Sequence, residues 1–116
     1  MVEKMKNVVL FVRDFERAKR FYKEQLKLPL VNESMAMMEF FQGTTTMGVA
    51  LAMHEAAYPL VGRHTGITLQ VKEIEAFCKE LSDAGVLFAE PLERMPWGKM
   101  AVVKDPDGNQ IALVEG

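Results

Sequence analysis

One stretch of this chain is written twice. Val8-Val9-Leu10-Phe11-Val12-Arg13-Asp14-Phe15-Glu16 lies over Ile67-Thr68-Leu69-Gln70-Val71-Lys72-Glu73-Ile74-Glu75 at a shift of 59 positions. Side-chain size, polarity and the change from strand pattern to helix pattern agree along both copies. Whatever the first half folds into, the second half must fold into something like it. Two units of about 50 residues point to duplication, because a solenoid needs at least about 3 repeats. Each half has too little core to stand alone. The expectation is therefore a single domain over 1–116, with repeats at about 5–54 and 65–115 and a linker at about 55–64.

The order of elements follows from local chemistry. Val8 to Val12 is a β-rich run of strand length. Asp14 stands where a helix N-cap belongs, and Phe15, Ala18, Phe21, Tyr22 and Leu26 recur at helical spacing. Leu28-Pro29-Leu30 breaks that helix. Three short strands are expected at about 29–34, 36–42 and 46–54, with Gly43-Thr44-Thr45-Thr46 as a turn. The pattern then restarts. Ile67 to Val71 reads as a strand; Ile74, Phe77, Cys78 and Leu81 form a helical stripe; Gly85 is a C-terminal cap. Val86 to Glu90 is a short strand. Trp97 to Val114 supplies two more around Asp105-Pro106-Asp107-Gly108-Asn109, where proline presets one backbone angle and glycine or asparagine takes a positive one.

Bulk properties exclude several function classes. A net charge of −2 gives no basic footprint for nucleic acid, so no nucleic-acid partner is expected. No apolar run approaches the roughly 18 residues of a membrane span, and the first residues lack the apolar core of a secretory leader. Cys78 is the only cysteine, which rules out an internal disulfide. A cytoplasmic protein without a membrane partner is the expectation. Nine methionines are many for this length and suit a compliant interior, chiefly as flexible core filling.

Two βαβββ units, the run Asn7 to Asp14 leading to Phe21-Tyr22, and Pro96-Trp97-Gly98 through Leu113 resemble the glyoxalase, bleomycin-resistance and extradiol-dioxygenase superfamily, also called vicinal oxygen chelate. The likeness spans about residues 5 to 115. It implies an α+β fold in which the two modules form a curled mixed sheet around a shared cavity, helices outside. It also implies a homodimer. Enzymes of the family hold a divalent metal through one residue from each of four strands. Those positions fall here on Asn7, Ala50, Gly66 and Ala112. Only asparagine offers a donor side chain, and a weak one, so no metal and no cofactor are expected. A displaced site from His54 and His64 is the minor alternative.

Strand alternation assigns the side chains on the hollow face. It selects Asn7, Val9 and Phe11; then Gly48, Ala50, Ala52 and His54; then Gly66, Thr68 and Gln70; and last Gln110, Ala112 and Val114. The opposite faces are bulky and apolar and suit packing against helices. Small hollow-facing residues leave room for a guest, and Asn7, Thr68, Gln70 and Gln110 offer hydrogen bonds to orient it. Trp97 either stacks on a planar guest or closes the edge of the core. Of Phe40 and Phe41, one reaches the hollow face, and alternation does not choose which. Met37, Met38 and Met47 are further candidates. Glu39 is the odd charge in an apolar stretch, more in keeping with a solvated edge than with a salt bridge to a cationic ligand.

No phosphate loop, Gly-x-Ser-x-Gly elbow or Gly-x-Gly-x-x-Gly run is present, and no catalytic residue is assigned; a metal-independent reaction would need a base, for which His54, His64 and Glu39 are the candidates. The leading expectation is metal-independent binding of a small aromatic or apolar molecule, in the manner of antibiotic sequestration. The alternatives are a glyoxalase-like lyase, isomerase or dioxygenase, and an accessory module.

Overall fold

In the computed structural model, residues 1–115 are described, and they fall into two compact units, Met1–Gly62 and Arg63 onward. Each unit is α+β, built on one open four-stranded mixed sheet. No helix among the described residues is long and apolar enough to cross a membrane.

The first unit runs β1 (Asn7–Val12), α1 (Phe15–Lys19) continued by a π-helical turn (Arg20–Gln25), β2 (Leu30–Glu33), β3 (Met37–Phe40) and β4 (Thr46–Leu51). Its sheet order is β1-β4-β3-β2, with β1 and β4 parallel and the remaining pairs antiparallel. The Asp14 carboxylate starts the helix by accepting the Arg17 amide at 3.1 Å. All five residues of the expected stripe, Phe15, Ala18, Phe21, Tyr22 and Leu26, are buried. Near its end the helix widens, and the Leu26 amide donates to the Phe21 carbonyl at 2.8 Å. Lys27 at φ 57 and then Pro29 stop it.

The helix covers one face of this sheet. Tyr22 meets Phe40 with ring centroids 6.2 Å apart, and Lys19 and Lys23 pair with Glu33 at 3.1 and 2.8 Å. Leu10, Val12, Met38, Phe40, Met47 and Val49 fill that face and are buried. Phe40 is thus a core residue, while Phe41 leaves the strand at φ 68. Met38 and Met47 also belong to the helix side. The segment after β4 returns to β1: Val61 bridges Phe11, Tyr58–Leu60 form a short 3-10 turn, and Arg13 stacks over Tyr58 at 4.9 Å.

The second unit repeats the order as β5 (His64–Gln70), α2 (Ile74–Asp83), β6 (Leu87–Met95), β7 (Gly98–Lys104) and β8 (Gln110–Glu115), with sheet order β5-β8-β7-β6. Helix α2 buries Ile74, Cys78 and Leu81. Gly85 at φ 88 ends it, and the Val86 amide closes back on the Leu81 carbonyl at 3.0 Å. Burial pushes the Cys78 thiol above its usual value, which fits an inert core residue. Ala101, Val103, Ile111 and Leu113 fill the helix side. The turn before β8 is held by buried Asp105. One of its oxygens accepts the amides of Asp107 at 2.9 Å and Asn109 at 2.8 Å, and the other accepts the Asn109 side-chain amide at 2.9 Å.

Strand β6 runs past the expected end at Glu90. It passes through Pro91 with register shifts between Phe88 and Glu90 and between Glu90 and Glu93. An edge strand tolerates this, because proline there costs no hydrogen bond on the solvent side.

Candidate functional site

The face of each sheet that carries no helix gathers the hollow-facing residues. In the first unit, cross-strand register aligns Asn7 with Thr46, Val9 with Gly48 and Phe11 with Ala50. It also aligns Met37 with Ala50, Glu39 with Gly48 and Asn32 with Glu39. Asn7, Phe11 and Ala50 are therefore brought together, each half-buried. Gly48 is the low point of this surface. A Cβ added there would lie 2.7 Å from Met37 Cε and 3.1 Å from Val9 Cγ2, so the Met37 methyl lies across the glycine.

Two chemistries share the face. Val9, Phe11, Met37 and Ala50 make an apolar end. Asn7, Asn32, Glu39 and Thr46 make a polar one. The Thr46 hydroxyl donates to Glu39 Oε2 at 2.7 Å. This bond first, and then Asn32, the charge of Lys6 and Asn7, hold the Glu39 carboxyl below the usual carboxylate range. Thr46 and Asn32 were not visible as neighbours in the sequence. Only the register of β2, β3 and β4 puts them beside Glu39.

In the second unit Thr68 aligns with Ala112 and Gln70 with Val114 on β8, which align in turn with Val102 and Met100 on β7. Glu115, of opposite parity to Ala112, reaches the α2 side and accepts the Ile74 amide at 3.0 Å, which identifies the Ala112 side as helix-free. Thr68, Gln70, Gln110 and Ala112 thus share this face. Met100 and Val102, absent from the sequence reading, belong to it too.

Gly66 lies in an irregular stretch of β5. Between the pairs His64–Gln110 and Thr68–Ala112, β5 advances two residues more than β8. Gly66 takes φ 77 there, the Thr65 hydroxyl donates to the Gln110 carbonyl at 2.7 Å, and the Gly66 amide donates to His64 Nδ1 at 3.1 Å. Three expected site residues stand off the strands. Ala52 follows β4 and donates its amide to the Val12 carbonyl at 2.8 Å, buried. His54 is exposed in the next turn, where its carbonyl accepts the Ala57 amide at 2.9 Å. Trp97 is 59% exposed in the Pro96-Trp97 turn between β6 and β7.

The four family metal positions do not fit a divalent transition ion. Ala50, Gly66 and Ala112 have no donor side chain, and the Asn7 side chain is engaged with Glu39. Among the described residues no group of three His, Cys, Asp or Glu side chains could hold a metal.

Comparison with known proteins places this geometry in a wider set. The family model described as the Glyoxalase/Bleomycin resistance protein/Dioxygenase superfamily matches residues 4–113. A crystal structure of a member of that superfamily from Sphaerobacter thermophilus DSM 20745 is 31% identical, with a TM-score of 0.76 over 100% of this chain and 99% of that one. TnmS3, an antibiotic binding protein from Streptomyces sp. CB03234, is 26% identical, with a TM-score of 0.74 over 98% and 96% of the two chains. A lactoylglutathione lyase from Agrobacterium tumefaciens is 17% identical, with a TM-score of 0.73 over 100% and 96%, a likeness of fold alone. No functionally curated protein matches the sequence.

Proposed function

Given that the chain belongs to the Glyoxalase/Bleomycin resistance protein/Dioxygenase superfamily, we propose that it binds a small aromatic or apolar molecule without a metal ion, as an antibiotic-sequestering protein does. The donor set carries this reading: alanine, glycine and alanine stand where coordinating side chains are needed for Lewis-acid chemistry. The free faces supply what a binder needs instead. Phe11, Met37 and Ala50 offer apolar contact on the first sheet; Thr68, Gln70 and Gln110 offer hydrogen bonds beside Ala112 on the second. Trp97, exposed at its hairpin tip, is the aromatic surface available for stacking. Ala52, His54 and Gly66 contribute at the margins. The likeness to TnmS3, an antibiotic binding protein, supports a small-molecule guest. A homodimer is part of this reading, and sedimentation equilibrium measures it.

The test is a thermal-shift and calorimetric screen of aromatic antibiotics on protein stripped with a chelator. A native-state ligand at about 100 times its Kd adds roughly 2.7 kcal/mol of stability, a readily seen rise in Tm. Stoichiometric transition metal in untagged protein, together with metal-dependent turnover of a hemithioacetal or catechol, would overturn the proposal in favour of a lyase or dioxygenase.

A further inference from the structure

The helix-free face of the first sheet carries one ionised group. Glu39 is half-buried, opposite Gly48 and one register pair from Met37 and Ala50. Its neighbours in hydrogen bonding are neutral: the Thr46 hydroxyl at 2.7 Å, then the side chains of Asn32 and Asn7. Lys6 acts on it only through its charge. The carboxylates on the other side of the molecule's sheets are treated differently. Glu33 sits between Lys19 and Lys23, and Glu75 and Glu115 share Lys99. Those charges are paired directly with ammonium groups; the Glu39 charge is met by neutral dipoles, with Lys6 acting through its charge alone.

Such an arrangement holds a carboxylate in place and ionised without satisfying it. A carboxylate has about four acceptor positions, and the Thr46 hydroxyl fills one of them. A charge-assisted hydrogen bond to a remaining position is about twice as strong as a neutral one, more so beside apolar groups that thin the surrounding water. The apolar partners are adjacent: Val9 and the Met37 methyl flank Gly48, and Phe11 and Ala50 follow one pair along.

We propose that this face selects molecules carrying a protonated amine next to an apolar or aromatic body, and that Glu39 is the residue that reads the amine. The proposal rests on the binding function above and deepens it, by naming the ligand class. The Met37 thioether, flexible and lying across Gly48, adapts the apolar end to the shape of the body.

Two matched probes test it: 2-naphthylmethylamine, cationic at neutral pH, and 2-naphthalenemethanol, its neutral counterpart. Calorimetric titration of the wild-type protein should show the amine bound about tenfold tighter than the alcohol, the usual gain from one hydrogen bond to a charged group. Glu39→Gln, which keeps shape and an acceptor for Thr46, should lose the amine preference and bind both alike. Glu33→Gln should keep the amine preference. On the wild type itself, the amine should shift the backbone NMR signals of Glu39 and Gly48, a measurement independent of any variant. Equal affinity for the two probes, an amine preference that survives in Glu39→Gln, or amine shifts confined to other residues would each overturn the selection by Glu39 while leaving small-molecule binding standing. Failure of both probes to bind would remove this proposal and count against the binding function as well.

Discussion

Helix α1 is capped by the residue beside it, and helix α2 by a residue from the far end of its unit. The two positions are related by the repeat: Asp14 in the first copy, Glu73 in the second. Asp14 adopts extended backbone and its carboxylate accepts the Arg17 amide. Glu73 adopts φ 49 and makes no side-chain cap; Glu115, on β8, accepts the Ile74 amide in its place. The free amides of a helix start must be satisfied in both units. A local carboxylate does this from within one turn of chain. In the second unit the glutamate makes no such bond, and a tertiary contact takes over. Lys99 then ties the arrangement together by pairing with Glu75 and Glu115. Duplicated units therefore keep strand order and replace the means by which a shared requirement is met.

The broadest way to break this comparison is through the cores. If both sheets are equally dependent on helix-side packing, Phe40→Ala should cost about 3–5 kcal/mol and Leu113→Ala about 2–5 kcal/mol in denaturant unfolding. A loss under about 1 kcal/mol at either position would show that its unit tolerates collapse of the cavity and that the two cores are not equivalent. The caps give a finer test. Asp14→Ala and Glu115→Ala should each cost about 1 kcal/mol. Amide exchange should quicken at Arg17 in the first variant and at Ile74 in the second. Unchanged exchange at Ile74 in Glu115→Ala would reduce the tertiary cap to a passive contact.

The smallest effect concerns acid. Hydrogen bonds from Lys23 and Lys19 hold the Glu33 carboxyl in the first unit below the ordinary value of 4.5, and Lys99 does the same for Glu75 in the second. A depressed carboxylate contributes stability above its unfolded value, and that contribution is lost as pH falls through the lowered folded value. Stability should thus be level from neutrality down to about pH 4.5 and decline below it. Both groups are solvent-screened, so the decline is shallow. Melting curves of Glu33→Gln and Glu75→Gln should each show a weaker pH dependence than wild type; a steeper dependence in either would reverse the assignment.

Much of the architecture was legible because its signals are local. The repeat, the Asp14 cap, the helical stripe of Phe15 to Leu26, Gly85, and the turn at 105–109 each depend on a few adjacent residues. So did the assignment of faces, since alternation within a strand is geometric: Asn7, Phe11 and Ala50 do share a side, as do Thr68, Gln70, Gln110 and Ala112. What failed to show depends on register between strands. Nothing near Glu39 in sequence announces Asn7 or Thr46. The irregular stretch around Gly66 arises from a mismatch between β5 and β8, and the passage of β6 through Pro91 depends on its place at a sheet edge. Phe40 and Phe41 could not be separated, because the choice turned on where β3 ends. His54 was expected beside Ala50, but β4 stops at Leu51 and the alternation stops with it.

The bridge from Val61 to Phe11 changes what the connecting segment is. Strand β1 is a rim strand, and exposed rims recruit other chains. By folding back there, residues 55–62 act as a guard rail carried by the first half. A fragment cut where the repeat ends, near residue 54, would lose that bridge; one cut after Gly62 would keep it. The boundary read from the repeat in the sequence, near residue 54, and the boundary of the folded unit, after Gly62, are offset by one short loop, and any attempt to split, permute or fuse the halves has to respect the second.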